Sequence, residues 1–147
     1  CAAAAAEIAS RIVDEHEKLR RLTSNIRAMS RFFWFSIEFG LMRGLGAHAP
    51  LKAYGSGLLS SYGELAHAIE APDVARAPFT IERVVNQPFE IDHYQPLLFV
   101  VDGFDHLYAL ADELEDWIVQ GRLDDVAAGE PAVSESDLRS FLEAGAV

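Results

Sequence analysis

The chain is poor in cysteine and in basic residues, and it has no long apolar run. Its single cysteine, Cys1, excludes an internal disulfide and suits a reducing compartment. No apolar run approaches the length that a bilayer-spanning helix needs. The alanines from Ala2 to Ala6 are too few and too weakly apolar for a secretory signal, and no basic region precedes them. We therefore expect a cytoplasmic protein without a membrane partner.

Positive charge is scarce as well. Lysine and arginine number 12 against 23 aspartates and glutamates, which gives a formal net charge of -11. A surface of this sign repels nucleic-acid phosphates and anionic membranes, so we expect neither as a partner. Hydrophobic residues make up 50% of the 147 positions, which is enough for one globular core at this length.

Periodicity and cap residues predict an α+β fold, predominantly helical with a few short strands. Helix signals cover six segments, the second capped by Thr23-Ser24-Asn25, the third by Ser61 with Glu64 in a capping box, and the fourth and fifth by Thr80 and Asp105. The segments are residues 2–22, 26–43, 61–69, 81–86 and 105–120, and a last short helix near Ser134 and Asp137.

Strand signals are fewer and shorter. They cover residues 51–54, 89–91 and 96–101, and the last of these is apolar throughout, as expected for a strand buried on both faces. We predict a tight turn with close backbone approach at Gly55 and Gly57, and a linker-like loop from Pro72 to Pro78. Gly121 is expected to end the long helix.

One carboxylate, Glu38, lies inside a dense aromatic and aliphatic run from Phe32 to Gly40. Burial of an ionised carboxylate is costly unless the group is paired or binds a metal. Glu38 therefore turns to solvent, meets a cation from elsewhere in the chain, or ligates a metal ion. Helical spacing places Trp34 one turn earlier on the same face, which would put an aromatic surface beside the carboxylate.

Three motifs in order carry a family resemblance. They are WFSIEFGL at residues 34–41, KAYGSGLLSSYGEL at residues 52–65 and YQPLLFV at residues 94–100. Their sequences, order and spacing resemble those of the pterin-dependent aromatic amino acid hydroxylases, over roughly residues 28 to 115. The resemblance implies a non-haem iron monooxygenase that uses Fe(II), a tetrahydropterin and O2 to hydroxylate phenylalanine, tyrosine or tryptophan.

The family's two iron-binding histidines are missing from the chain. Family members carry them in an H-x-x-x-x-H segment upstream of the glutamate, and the three ligands leave iron positions open for the reaction. Here His16 is the only histidine before Glu38, and none of His48, His67, His93 and His106 forms such a pair. We therefore expect residues 1–121 to be the C-terminal part of the hydroxylase catalytic domain, residues 122–147 to be an acidic tail with a short helix, and the chain to be inactive alone.

The resemblance assigns roles to five residues. Glu38 matches the iron-binding, catalytic glutamate, and Trp34 matches the aromatic residue that lines the amino acid pocket. Gly57 and Ser60 match positions at the backbone end of the substrate, and the serine also orients an iron-binding histidine. Ile91 aligns with a position that is apolar in phenylalanine hydroxylases and aspartate in tyrosine hydroxylases, which favours phenylalanine as substrate.

Two departures and three alternatives accompany this interpretation. Phe89 stands where phenylalanine hydroxylases usually have tyrosine, so a hydroxyl near the pocket is lost. The residues after Gly121 lack sustained heptads, unlike the tetramerising tails of the animal enzymes, and a monomer is expected.

The favoured function is phenylalanine 4-hydroxylation. The alternatives are another aromatic substrate or ring position, a non-catalytic homologue without the upstream histidines, and a helical interaction module with an accidental resemblance.

Overall fold

A computed structural model describes Ala4, residues 11–46 and residues 49–144, the side chains of 141–144 excepted. Cys1, His48 and residues 2, 3 and 5–10 of the predicted first helix lie outside the described residues. The fold is α+β and predominantly helical with a few short strands, as the sequence predicts. In the part of the chain that is described, no helix combines the length and the apolar character that a membrane crossing requires.

The first described helix, α1, spans Glu15–Phe33. It begins at Asp14, whose side chain accepts the backbone N–H of Glu17 at 3.2 Å. The predicted helix through residues 11–14 and the predicted break at Thr23-Ser24-Asn25 are both wrong, because the helix begins later and runs through that tripeptide.

The tripeptide residues that looked like a cap serve tertiary contacts instead. The Ser24 hydroxyl donates to the carbonyl oxygen of Leu123 at 2.6 Å and accepts the N–H of Val126 at 2.8 Å. The Asn25 amide donates to Asp124 Oδ1 at 3.0 Å. These polar side chains are buried in the middle of α1 because the chain after the long helix returns to cover them.

Beyond Phe33 the helix widens into one π-helical turn, Trp34–Glu38, and ends at Phe39. The N–H of Phe39 donates to the carbonyl oxygen of Trp34 at 2.8 Å, a bond over five residues. The Ser36 hydroxyl donates to the carbonyl oxygen of Phe32 at 2.5 Å and so competes with the backbone ladder. The predicted continuation of the helix to Arg43 is wrong.

The described residues form four short strands, β1 Leu41–Met42, β2 Lys52–Ala53, β3 Ala75–Pro78 and β4 Leu97–Val101. They make a mixed sheet of order β2-β1-β4-β3. Strand β1 pairs antiparallel with β2 and parallel with β4, and β3 pairs parallel with β4.

Two strand predictions are wrong. The expected loop from Pro72 to Pro78 contains β3, which pairs with β4 despite its prolines. Residues 89–91, expected to be a strand, form no strand. There the side chain of Gln95 binds the backbone of Glu90, accepting its N–H at 3.1 Å and donating to its carbonyl oxygen at 2.5 Å. A glutamine side chain thus takes the bonds that a neighbouring strand would make.

Strand β4 is buried on both faces, as predicted. Phe99 and Val101 belong to one hydrophobic cluster, which α1 and the long helix share. Leu98 and Val100 belong to a second cluster on the other side of the sheet. Because side chains alternate between the two faces of a strand, β4 contributes to both hydrophobic clusters.

The described residues form five further helices, α2 Ser56–Ser60, α3 Tyr62–Glu70, α4 Ile81–Val85, α5 Phe104–Val119 and α6 Glu135–Ala144. Their positions match the predictions except for α2, which replaces the predicted tight turn. The Ser61 hydroxyl caps α3 by accepting the N–H of Glu64 at 3.3 Å. The long helix α5 begins after Gly103, not at Asp105, and Gly121 ends it with φ +72°.

The residues after Gly121 are attached to α1 by a buried arginine. Arg31 has no exposed surface, and its guanidinium donates to the carbonyl oxygens of Val85 and Ala127 at 2.8 Å each, and to those of Ala128 and Glu130. Burial lowers the pKa of Arg31 to about 10, with a smaller contribution from the charge of Arg27.

Asp124 is not solvated as expected for an acidic tail. Its carboxylate pairs with Arg21 at 3.0 Å and accepts the Asn25 amide. Leu123 is fully buried in the first cluster. The chain just beyond Gly121 is therefore part of the core that the long helix helps to form.

Candidate functional site

The π-helical turn determines where Glu38 lies. Its last residue, Glu38, precedes the two residues that lead into β1, so the carboxylate stands at the junction of helix and sheet. A wider turn inside an α-helix is rare and is often found at functional sites, because it displaces side chains from regular helical positions. The chain leaves the π-turn through Gly40, where a larger residue does not fit, since a Cβ there would lie 2.2 Å from the carbonyl oxygen of Ser36.

The Glu38 side chain is half-buried and is held by a neutral donor. The hydroxyl of Ser56 donates to Glu38 Oε2 at 2.9 Å. Among the described residues, Glu38 forms no ion pair. The sequence left three environments open for Glu38. A cation supplied by these residues is absent, whereas partial solvent contact and ligation of a metal ion both fit the structure.

Two glycines of the second motif press against the end of the π-turn. A Cβ at Gly55 would lie 2.3 Å from the carbonyl oxygen of Glu38 and 2.5 Å from the backbone nitrogen of Gly40. A Cβ at Gly57 would lie 3.0 Å from the same carbonyl oxygen and 3.3 Å from Glu38 Oε2. The predicted close approach at these glycines is thus confirmed, and its partner is the backbone and carboxylate of Glu38.

Trp34 forms the centre of an aromatic stack beside this carboxylate. Its ring stacks on Phe89 at 4.2 Å between centroids and on Phe39 at 4.8 Å. A Cβ at Gly57 would also lie 3.3 Å from the Phe39 ring, so the stack reaches the same glycine as the carboxylate. Trp34 Nε1 is buried and has no hydrogen-bond partner among the described residues. Because Phe39 and Phe89 are buried and stack on Trp34, the three rings form a packed apolar wall beside Glu38.

Ser60 and Ile91 lie outside this arrangement of contacts. Ser60 is exposed, and its hydroxyl donates to the carbonyl oxygen of Gly57 at 2.9 Å, within its own helix. Ile91 is 66% exposed. It lines a depression of about 330 Å³ together with Glu64, Asp92, His93 and Tyr94. Burial raises the pKa of Glu64, with the charge of His67 acting in the opposite direction.

The metal-ligand set within the described residues is a single carboxylate. No three histidine, cysteine, aspartate or glutamate side chains come together there. An iron ion fits the donor chemistry of Glu38, which is a carboxylate without a competing cation, and would need further ligands.

Sequence reasoning missed Ser56 and Phe39. Both lie inside motifs of the family resemblance, but the amino-acid sequence alone does not show that residue 56 contacts residue 38. No local signal in the sequence indicates this contact, because it depends on how the segment after Gly55 packs against the π-turn.

Comparison with known proteins identifies the family. Residues 17–119 match the sequence model of the biopterin-dependent aromatic amino acid hydroxylases, which is more than half of the chain. The chain belongs to this family. The matched region holds α1, the π-turn, the sheet and the long helix, and it contains Glu38, Trp34, Gly57, Ser60 and Ile91.

Curated proteins named phenylalanine-4-hydroxylase and tyrosine 3-monooxygenase are both similar to the chain in sequence. A phenylalanine-4-hydroxylase of Mesorhizobium japonicum is 36% identical over 104 residues, covering 71% of this chain and 37% of that protein. A tyrosine 3-monooxygenase of Drosophila melanogaster is 40% identical over 93 residues, covering 63% of this chain and 15% of that protein. The chain thus spans well under half the length of these curated relatives.

Solved structures give the same picture. A crystal structure of Chromobacterium violaceum phenylalanine hydroxylase with bound Fe(III) aligns with a TM-score of 0.63 and 25% identity, over 76% of this chain and 40% of that one. A second structure of that enzyme, with iron and 7,8-dihydrobiopterin bound, aligns with a TM-score of 0.61 and 26% identity, over 76% and 39% of the two chains. The expected fold, that of an aromatic amino acid hydroxylase domain, is confirmed.

Proposed function

We propose that this chain is the glutamate-bearing part of an iron- and tetrahydropterin-dependent monooxygenase that converts phenylalanine to tyrosine with O2. The observation that carries the proposal is the Glu38 carboxylate. It is half-buried beside an aromatic stack, lacks an ion pair among the described residues, and stands on a π-turn in a member of the biopterin-dependent family.

In this proposal Glu38 supplies one oxygen ligand to Fe(II), and the two histidine ligands come from outside the 147 residues. Iron and pterin, when bound, supply the oxygen chemistry that amino acid side chains lack. The residues of this chain orient the carboxylate and place the apolar wall of Trp34, Phe39 and Phe89 beside it. Trp34, Gly57, Ser60 and Ile91 are the proposed substrate-binding residues.

Phenylalanine is favoured over tyrosine by the apolar side chain of Ile91 and by the bacterial relatives named phenylalanine-4-hydroxylase. A pocket of this kind discriminates only by about 1–3 kcal/mol, because an apolar surface does not strongly reject one added hydroxyl. Tyrosine 3-monooxygenases of rat and fly are 44% and 40% identical over the shorter regions they match, and they support tyrosine as the second candidate.

The proposal is tested by iron content and by phenylalanine-dependent tyrosine formation with a tetrahydropterin. Both are measured for the 147-residue chain and for the protein extended upstream of Cys1. We expect the extended protein to bind about one iron and form tyrosine. Glu38→Ala should abolish tyrosine formation and weaken Fe(II) binding to a low residual affinity. Glu70→Ala, at the exposed end of α3, is the matched control.

Failure of the extended wild-type protein to bind iron would favour the non-catalytic homologue. Tyrosine hydroxylation exceeding phenylalanine hydroxylation would replace the substrate and keep the class. The cytoplasmic location and the monomeric state stay predictions, which fractionation and sedimentation measure directly.

A further inference from the structure

The carboxylate of Glu38 has one hydrogen-bond donor among the described side chains, and it is Ser56. Its hydroxyl lies 2.9 Å from Glu38 Oε2 and 3.3 Å from the carbonyl oxygen of Ile37. Glu38 Oε1 accepts no hydrogen bond from the described residues. The two carboxylate oxygens are therefore unequal, since Oε2 accepts a hydrogen bond and Oε1 accepts none from the described residues.

The backbone fixes the position of Ser56 before its side chain acts. The N–H groups of Tyr54 and Gly55 both donate to the carbonyl oxygen of Gly40, at 3.1 and 3.2 Å. Gly55 itself lies against the backbone of Glu38 and Gly40. Residue 56 is therefore anchored to the exit of the π-turn by main-chain contacts, and its hydroxyl reaches the carboxylate from a rigid support.

A hydroxyl differs from a cationic partner in what it does to a ligand carboxylate. An arginine or lysine in this position would neutralise the charge that attracts a metal ion, whereas a neutral donor restrains the carboxylate and leaves its charge available. Hydrogen-bonding partners of metal ligands commonly change metal affinity or activity by 10- to 100-fold when they are removed.

We propose that Ser56 is a positioning residue for Glu38, whose hydroxyl holds Oε2 so that Oε1 is presented to a divalent metal ion. The inference rests on the proposed function, since it assigns Glu38 as a metal ligand. It adds a residue outside the set that the family resemblance assigned. Ser56 acts through Glu38 and touches neither substrate nor pterin in this proposal.

The test measures Fe(II) affinity of the metal-free, full-length protein under anaerobic conditions, by competition with a chromogenic chelator. We expect Ser56→Ala to weaken Fe(II) binding by about tenfold or more. Ser56→Thr, which keeps the hydroxyl, should restore affinity to within about threefold of wild type. Ser140→Ala, an exposed serine on α6, is the matched control and should leave affinity unchanged.

A double-mutant cycle separates positioning of Glu38 from a general effect on the fold. In a Glu38→Ala background, Ser56→Ala should cause no further loss of the residual Fe(II) affinity, because its target is gone. Co(II) absorption in the visible region gives a second readout, since its band positions report the ligand arrangement. We expect Ser56→Ala to shift these bands and Ser56→Thr to retain them.

Each outcome of these measurements either supports or overturns the role proposed for Ser56. Wild-type-like Fe(II) affinity and Co(II) bands in Ser56→Ala would overturn the role of Ser56 and leave the proposed function standing. An equal loss in the presence and absence of Glu38 would also overturn it, because the effect would not pass through the carboxylate. Absence of Fe(II) binding by the wild-type protein itself would overturn the proposed function and this inference with it.

Discussion

Gly55 lies against the backbone of Glu38, and a Cβ at residue 55 would approach the carbonyl oxygen of Glu38 to 2.3 Å. No side-chain rotation relieves such a contact, because the carbonyl oxygen belongs to the backbone and the backbone also fixes the position of the Cβ. We expect Gly55→Ala to reduce the free energy of unfolding by about 1–3 kcal/mol or more and to displace the carboxylate. Urea denaturation measures the first effect and Fe(II) binding the second.

Gly103 is the control for this substitution. A Cβ there would meet no atom within 4 Å, and its φ of 173° is extended backbone that any residue adopts. Gly103→Ala should cost less than about 1 kcal/mol, as a change at a helix N-cap position. Equal losses in the two variants would contradict the close-approach argument.

Gly57 is less crowded than Gly55 and faces the functional atoms. Its added Cβ would lie 3.0 Å from the carbonyl oxygen of Glu38 and 3.3 Å from both Glu38 Oε2 and the Phe39 ring, so each neighbour must shift by only a few tenths of an ångström. We expect Gly57→Ala to leave stability within about 1 kcal/mol of wild type and to raise KM for phenylalanine or weaken Fe(II) binding. Steady-state kinetics with unchanged KM, kcat and iron content would show that the glycine serves the turn alone.

Arg31 binds four carbonyl oxygens from a fully buried position, and its loss would leave them without a donor. We expect Arg31→Met to reduce the free energy of unfolding by about 3–5 kcal/mol, because buried polar groups without partners are costly. Arg27, which donates to the carbonyl oxygen of Pro131 at 3.3 Å, is the matched control. Arg27→Met should cost less than about 1 kcal/mol, and a comparable loss would refute the role given to Arg31.

Tyr54 has a buried hydroxyl without a partner among the described residues, and burial raises its pKa to about 12. The folded state keeps this proton to higher pH than the unfolded state, in which the tyrosine ionises near pH 10. Its contribution to stability is therefore fully present below pH 10 and is lost as the pH rises from about 10 to 12.

Tyr54→Phe removes that loss, so the unfolding free energy of the variant should fall less steeply across this interval. At pH 7 the variant should lie within about 1 kcal/mol of wild type or be more stable, since no hydrogen bond is broken. Arg31, whose lowered pKa acts with the opposite sign, contributes equally to both proteins and cancels in the difference. Tyr62→Phe, at a residue 87% exposed, should leave the pH profile unchanged.

Ile91 is exposed, so its substitution tests substrate preference without a large effect on the fold. On the proposed function, Ile91→Asp should shift the ratio of kcat/KM for tyrosine to that for phenylalanine upward by about tenfold, because a carboxylate can accept a hydrogen bond from the tyrosine hydroxyl. Ile91→Val keeps an apolar side chain and should leave the ratio near that of wild type. An unchanged ratio in both variants would remove Ile91 from the set that selects the substrate.

Local signals in the sequence located most helices because helix formation depends on neighbours in the chain. Ser61 caps α3 and Gly121 ends the long helix, as their positions predicted. The failures at Ser24, Asn25 and Pro72–Pro78 share one cause, since each segment is shaped by a partner distant in sequence. Polar residues that resembled a cap bind the chain near residue 124, and a proline-bounded loop gains a strand by pairing with β4.

The sequence by itself determined the family, the α+β class and the glutamate in its aromatic run, because these depend on residue type and order. The tertiary structure decided the π-turn that carries Glu38, the contact of that carboxylate with Ser56 and the stacking of Trp34 between Phe39 and Phe89. The Glu38–Ser56 contact and the Trp34–Phe89 stack join residues distant in sequence, and the separation of 18 positions from Glu38 to Ser56 is bridged only when β1 and β2 pair. Hydrogen bonds and ring contacts at such separations follow from the packed fold, which local spacing does not encode.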